Sequence, residues 1–89
     1  MATIIFTENL RRHIDCPQQT AEGDTLREVL DNLFALNTTL KSYVLDDQNR
    51  LRKHMLISID GELINDRVYL SDAVTEQAEI YIVQALSGG

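Results

Sequence analysis

The chain has 89 residues, 44% of them hydrophobic and 25% charged, with a net charge of −6. That length holds one domain with one apolar core and leaves no room for a second. The negative balance argues against nucleic acid as a partner, since phosphate binding needs surplus lysine and arginine. The single Cys16 excludes an intramolecular disulfide and a cysteine-built zinc or iron–sulfur centre.

The opening stretch MATIIFTENLRRH places no long apolar run behind a basic segment, so no signal peptide is read there. No apolar stretch reaches bilayer-spanning length, and the expected location is the cytoplasm, with no membrane partner.

In chain order, TIIFT (3–7) alternates, with Ile4 and Phe6 on one side, and predicts a strand. A weaker strand is expected from His13 to Thr20, with Ile14 and Cys16 on one face. Pro17, which has no N–H to give a ladder, confines it to an edge. Gly23 then breaks the pattern before DTLREVLDNLFALN (24–37). There Thr25-x-x-Glu28 is a capping-box signature, and Leu26, Val29, Leu30, Leu33 and Phe34 form one helical stripe. Asn37 is a plausible stop for that helix.

A short helix or turn is expected over Thr38 to Leu45 with Leu40, Tyr43 and Val44 inward, followed by the polar turn DDQN (46–49). In HMLISIDGELI (54–64), Met55, Ile57 and Ile59 alternate and Asp60-Gly61 signals a hairpin. A small element is expected around Leu70 to Val74. The last strand is EIYIVQ (79–84), with Ile80 and Ile82 toward the core and Tyr81 and Val83 away from it. The order β-β-α-β-β, with one apolar helical stripe to cover, predicts an α+β domain: a mixed sheet packed on one main helix. Its boundaries are 1–84, with 85–89 as a flexible tail.

Two features ask for a functional reading. Between Ile57 and Gly89 there are six acids (Asp60, Glu62, Asp66, Asp72, Glu76, Glu79) against one base, Arg67. This is either a solvated face or a surface steered toward a basic groove. The other feature is the ending ALSGG. Two glycines cost order, so Gly88-Gly89 is either a frayed end or a slim tether for the carboxylate of Gly89.

Tyr81 and Val83 are either an exposed patch for a partner or scattered surface apolar residues. Cys16 reads as a packed small hydrophobe rather than a relay thiol. His13, Cys16 and His54 lack a second cysteine or a suitably spaced carboxylate for a metal. No nucleophile–base pair or glycine-rich phosphate loop stands out, and no catalysis by the chain alone is expected.

NLRRH (9–13), GDTLREVLDNL (23–33), LDDQNRLRKHMLISIDGELI (45–64) and AEIYIVQALSGG (78–89), in that order, resemble segments of the MoaD/ThiS-type ubiquitin-like sulfur carriers. The pattern is most similar to the subgroup of molybdopterin-synthase small subunits and a cysteine-synthesis carrier. The chain departs from it at Gln84, where the family often has proline, and at Glu76-Gln77-Ala78-Glu79, where a Gly-Asp-Glu turn is usual.

The resemblance implies a β-grasp fold with no bound cofactor. It also implies a ubiquitin-activating-type partner that uses ATP to adenylate the Gly89 carboxylate. A sulfur donor then gives a thiocarboxylate, and a sulfur-accepting synthase takes the sulfur. Gly89 would be the reacting residue, with Ala85, Leu86, Ser87, Gly88, Tyr81 and Val83 contacting partners. The readings left beside it are a protein modifier joined to lysines through Gly89, a small subunit of a molybdopterin synthase, and a binding module with an idle tail.

Overall fold

The computed structural model describes residues 1–6 and 18–84. The elements run β1 (Ala2–Phe6), β2 (Gln19–Ala21), α1 (Leu26–Leu36), α2 (Thr38–Val44), β3 (Met55–Ile59), β4 (Glu62–Leu63) and β5 (Glu79–Gln84). One sheet takes the order β2-β1-β5-β3-β4. The β1 and β5 strands are parallel and the other neighbours antiparallel. The expected mixed sheet with one main helix is therefore what forms, and β2 lies at its edge.

α1 begins as its sequence dictates. Thr25 is the N-cap in extended conformation, and its hydroxyl accepts from the Glu28 N–H at 3.3 Å. Glu28 does not complete the box by reaching back to the cap's N–H; instead its Oε2 accepts the Thr25 hydroxyl at 3.3 Å. Two more N–H groups at the start of the helix find carbonyls in a distant segment. Leu26 donates to Asp72 at 2.9 Å and Arg27 to Leu70 at 2.8 Å, where an isolated helix would leave them unpaired.

Gly23 has to be glycine for space. A Cβ there would sit 2.7 Å from the Val29 nitrogen and 2.9 Å from the Glu28 Cβ. Leu26, Val29, Leu30, Leu33 and Phe34 are all buried, against Ile4, Phe6, Ile57, Ile80 and Ile82 of the sheet. Asn37 ends the helix, its N–H donating to the Phe34 carbonyl.

Three expectations are corrected or trimmed. α2 buries Leu40 and Val44, but Tyr43 points outward and is 39% exposed. A seven-residue helix presents a stripe only about two residues wide, and the i, i+4 pair fills it. The element expected around Leu70 to Val74 is reduced to one bridge, Thr25 with Ala73, while Leu70 and Val74 themselves are buried. Of the predicted second strand, the part carrying His13, Ile14, Cys16 and Pro17 lies outside the described residues, and pairing is seen at Gln19–Ala21. Ile59 is half-buried against the core.

Candidate functional site

β5 is the centre of the sheet, held by β1 on one side and β3 on the other. Its register sets Ile5 and Ser58 beside Tyr81, and Leu56 beside Val83. Ile80 and Ile82 fill the core, so Tyr81 and Val83 are delivered to the opposite face. Tyr81 is 37% exposed there, while Val83, Ile5 and Leu56 are half-buried. Leu63 of β4 pairs with Ser58 and extends the same face at 63% exposure.

The two predicted contact residues thus share one sheet face with Ile5, Leu56 and Leu63, an apolar strip over four strands with Ser58 between Tyr81 and Leu63. Ile5, Leu56 and Leu63 were missed as members because each strand's alternation shows a second face but not which strands adjoin. The remaining predicted site residues, Ala85, Leu86, Ser87, Gly88 and Gly89, lie outside the described residues.

The start of β5 is fixed from both neighbours. Thr3 N–H donates to the Ala78 carbonyl at 2.9 Å. Asp60, at φ 52°, donates its N–H to the Glu79 carbonyl and accepts the Glu79 N–H on Oδ1, each at 2.9 Å. Asp60-Gly61 forms the expected hairpin, with positive φ at both residues.

Half of the acids of the C-terminal third hold turns together. Asp72 accepts the N–H groups of Asn65 and Asp66 at 2.9–3.2 Å. Asp66 accepts the Ser71 hydroxyl and the N–H groups of Val68, Tyr69 and Ser71. The Ser71 hydroxyl, with the Tyr69 N–H next, holds the Asp66 carboxyl down at about 2. With Asp60 gripping Glu79, three of the six acids are main-chain acceptors inside the fold. Glu62, Glu76 and Glu79 are exposed.

Asp46 makes a similar turn lock, accepting the N–H groups of Gln48 and Arg50 and pairing with the Arg50 guanidinium at 3.1 Å. The Arg50 N–H, above all, lowers its carboxyl below the usual range.

Among the described residues no group of three or more His, Cys, Asp and Glu side chains could hold a metal ion. Nor is any helix there long and apolar enough to cross a membrane.

The family model for the ThiS family matches residues 4–89. No curated protein matches the sequence. The fold is shared with a chain of the BexX/CysO complex of Amycolatopsis orientalis, at TM-score 0.82 and 19% identity, covering all of both chains. CysO of Mycobacterium tuberculosis, an antigen, matches at TM-score 0.80 and 22% identity, over 97% of this chain and 100% of that one. Small archaeal modifier protein 1 of Methanosarcina acetivorans matches at 0.80 and 23%, over 99% and 95%. These likenesses establish the β-grasp fold.

Proposed function

The chain belongs to the ThiS family of ubiquitin-like sulfur carriers, and from that premise we propose that its working group is the carboxylate of Gly89. A carboxylate is a poor electrophile until one oxygen becomes part of a leaving group. The Gly89 carboxylate oxygen attacks the α-phosphorus of ATP held by a ubiquitin-activating-type enzyme, releasing pyrophosphate and forming an acyl-adenylate. Sulfide from a sulfur donor then attacks the acyl carbon and expels AMP. The product is a C-terminal thiocarboxylate, whose sulfur passes to an accepting synthase in cofactor or cysteine biosynthesis. The ATP is the partner's, and this chain serves as co-substrate.

One observation carries the reading. β5, the strand held from both sides, ends at Gln84 with five residues, Ala85 to Gly89, still to come. A rigid body thus precedes a short segment whose last two residues have no Cβ to obstruct a narrow channel. The apolar strip around Tyr81 and Val83 is the surface on which the activating enzyme rests, since an exposed apolar face on a small domain is a recognition feature. Leu86 supplies an apolar anchor between Ala85 and Ser87.

Intact-protein mass spectrometry after incubation with ATP, inorganic sulfide and the cognate adenylating enzyme tests this. One oxygen exchanged for sulfur on Gly89, absent from a chain lacking Gly89, is the expected result. With an enzyme shown to be active, failure to form adenylate or thiocarboxylate would leave only a binding module.

A second reading draws on the likeness to a protein named as a small archaeal modifier. Under it, a lysine amine rather than sulfide captures the adenylate and an isopeptide forms. Conjugates that survive a denaturing gel and depend on Gly89 favour it over sulfur transfer. Stable co-purification with a larger synthase subunit favours the small-subunit version of the carrier reading.

A further inference from the structure

The register of β3 against β5 determines what surrounds the point where the chain leaves the sheet. Their last pair is Met55 with Gln84. Arg52-Lys53-His54, just ahead of Met55, therefore flank the exit of the segment that follows Gln84. Lys53 and His54 are exposed and Arg52 is half-buried.

Arg67 fixes this stretch from below. Its Nη2 donates to the carbonyls of Arg52 at 2.8 Å, Met55 at 2.9 Å and Lys53 at 3.5 Å. The turn is closed by the Met55 N–H on the Arg52 carbonyl, and Arg52 Nε is tied to the Ser42 carbonyl at 2.8 Å. Among the described residues the one ion pair is Arg50 with Asp46, so Arg52, Lys53 and Arg67 carry charge that no carboxylate there neutralises. Asp66, next to Arg67 in the chain, uses its carboxylate on Val68, Tyr69 and Ser71, and the nearest exposed acids in sequence are Asp47 and Glu62.

The opposite end of the sheet has the other sign. Glu22, Asp24, Glu28 and Glu76 line one open cleft there. Glu62 and Glu79 lie at the same end, at the starts of β4 and β5, which flank the last residue of β3. Among the described residues, a protein of net charge −6 thus sets three cations that have no ion pair beside the end of β5.

We propose that Arg52, Lys53 and Arg67 form a basic collar that docks on carboxylates of the partner protein, around the entrance to the site that takes the tail. The proposal rests on the carrier reading above. Protein carboxylates fit better than nucleotide phosphates because of reach. Drawn out in a narrow channel, five residues set Gly89 about 17 Å beyond Gln84, and with Gly89 at the reacting phosphate the collar would then meet the channel entrance and not the nucleotide. Complementary charge at such a rim acts mainly on encounter and register and leaves the chemical step alone.

Steady-state adenylation, followed by pyrophosphate release with the cognate enzyme, separates the possibilities. Lys53→Glu is expected to raise KM for the carrier roughly tenfold at low salt with kcat unchanged. The gap should shrink as salt is added, and Lys53→Arg should behave as wild type. Glu62→Lys, which shifts the net charge at the far end, should leave KM within about twofold.

A KM indifferent to Lys53→Glu overturns the collar. So does a fall in kcat at unchanged KM, which would put Lys53 on the nucleotide. If the wild-type chain yields no adenylate at all, the carrier reading itself has failed. Lys53 is exposed, and a thermal melt of each variant checks that folding is intact.

Discussion

Asp60 and Glu79 hold each other twice, N–H to carbonyl and N–H to carboxylate, both at 2.9 Å. The pair ties the β3–β4 hairpin to the first residue of β5. Asp60→Ala removes the acceptor and leaves a residue with a Cβ but no polar compensation at φ 52°. A loss of about 1–2 kcal/mol is expected in chemical denaturation. Asp60→Asn keeps an acceptor and tolerates that backbone, and it should stay within about 0.5 kcal/mol of wild type. Equal losses in the two variants would show the grip to be incidental.

Tyr81→Glu places a charge on the outer face without entering the core, so the melting temperature should barely move. Its KM with the adenylating enzyme should rise by about tenfold or more, the usual cost of an unpaired charge in an apolar contact. Leu36→Glu alters another exposed apolar residue, 86% accessible at the end of α1, and should leave KM alone. If both variants bind as wild type does, the strip is ordinary surface.

Asp66 sets an acid limit on the 65–72 loop. Its carboxyl titrates near 2 in the fold against an ordinary value of 3.8. The stability it contributes is therefore complete above about pH 4, and it is lost as pH falls through the folded value near 2. Protection of the Val68, Tyr69 and Ser71 amides, relative to their intrinsic exchange rates, should fall over that window. In Asp66→Asn those amides should already be less protected at neutral pH, with less further change on acidification. Protection that is flat down to pH 2 in wild type would contradict the lock.

Leu30 is fully buried beneath the sheet. Leu30→Ala should cost about 2–5 kcal/mol, a large part of the stability of a domain this size. A denaturation midpoint shifted by less than a quarter of the wild-type value would mean that the core collapses around the gap.

Much of this architecture is written locally. Leu26 to Phe34 repeat with the helical period, and Ile80–Ile82 and Met55–Ile57 with the strand period. Each set is buried as its period demands. The Thr25 cap and the Asp60-Gly61 turn are equally local, because each needs one residue type at one backbone conformation.

What stayed hidden depends on strand order or long reach. The membership of Ile5, Leu56 and Leu63 in one face follows from β5 standing between β1 and β3, which no local pattern states. Arg27, off the apolar stripe of α1, donates to the carbonyls of Asn49, Val68 and Tyr69 and sews two loops to the helix. Asp66 and Asp72 read as surface charge and are turn locks. Tyr43 misled because aromatic character suggests burial, while in a helix of seven residues a single position around the axis decides it.

The parallel pairing of β1 with β5 joins the two ends of the described chain, Thr3 meeting Glu79 and Phe6 meeting Ile82. Contacts so far apart in sequence form late, since the long loop must close before they repay its entropy. Tyr81 and Val83 have no Ile5 beside them until that closure happens. The strip and the strand that carries the tail thus appear together, as one event. On the function proposed above, an enzyme that reads the strip would in effect inspect the chain, because a half-folded copy with the same last five residues lacks that face.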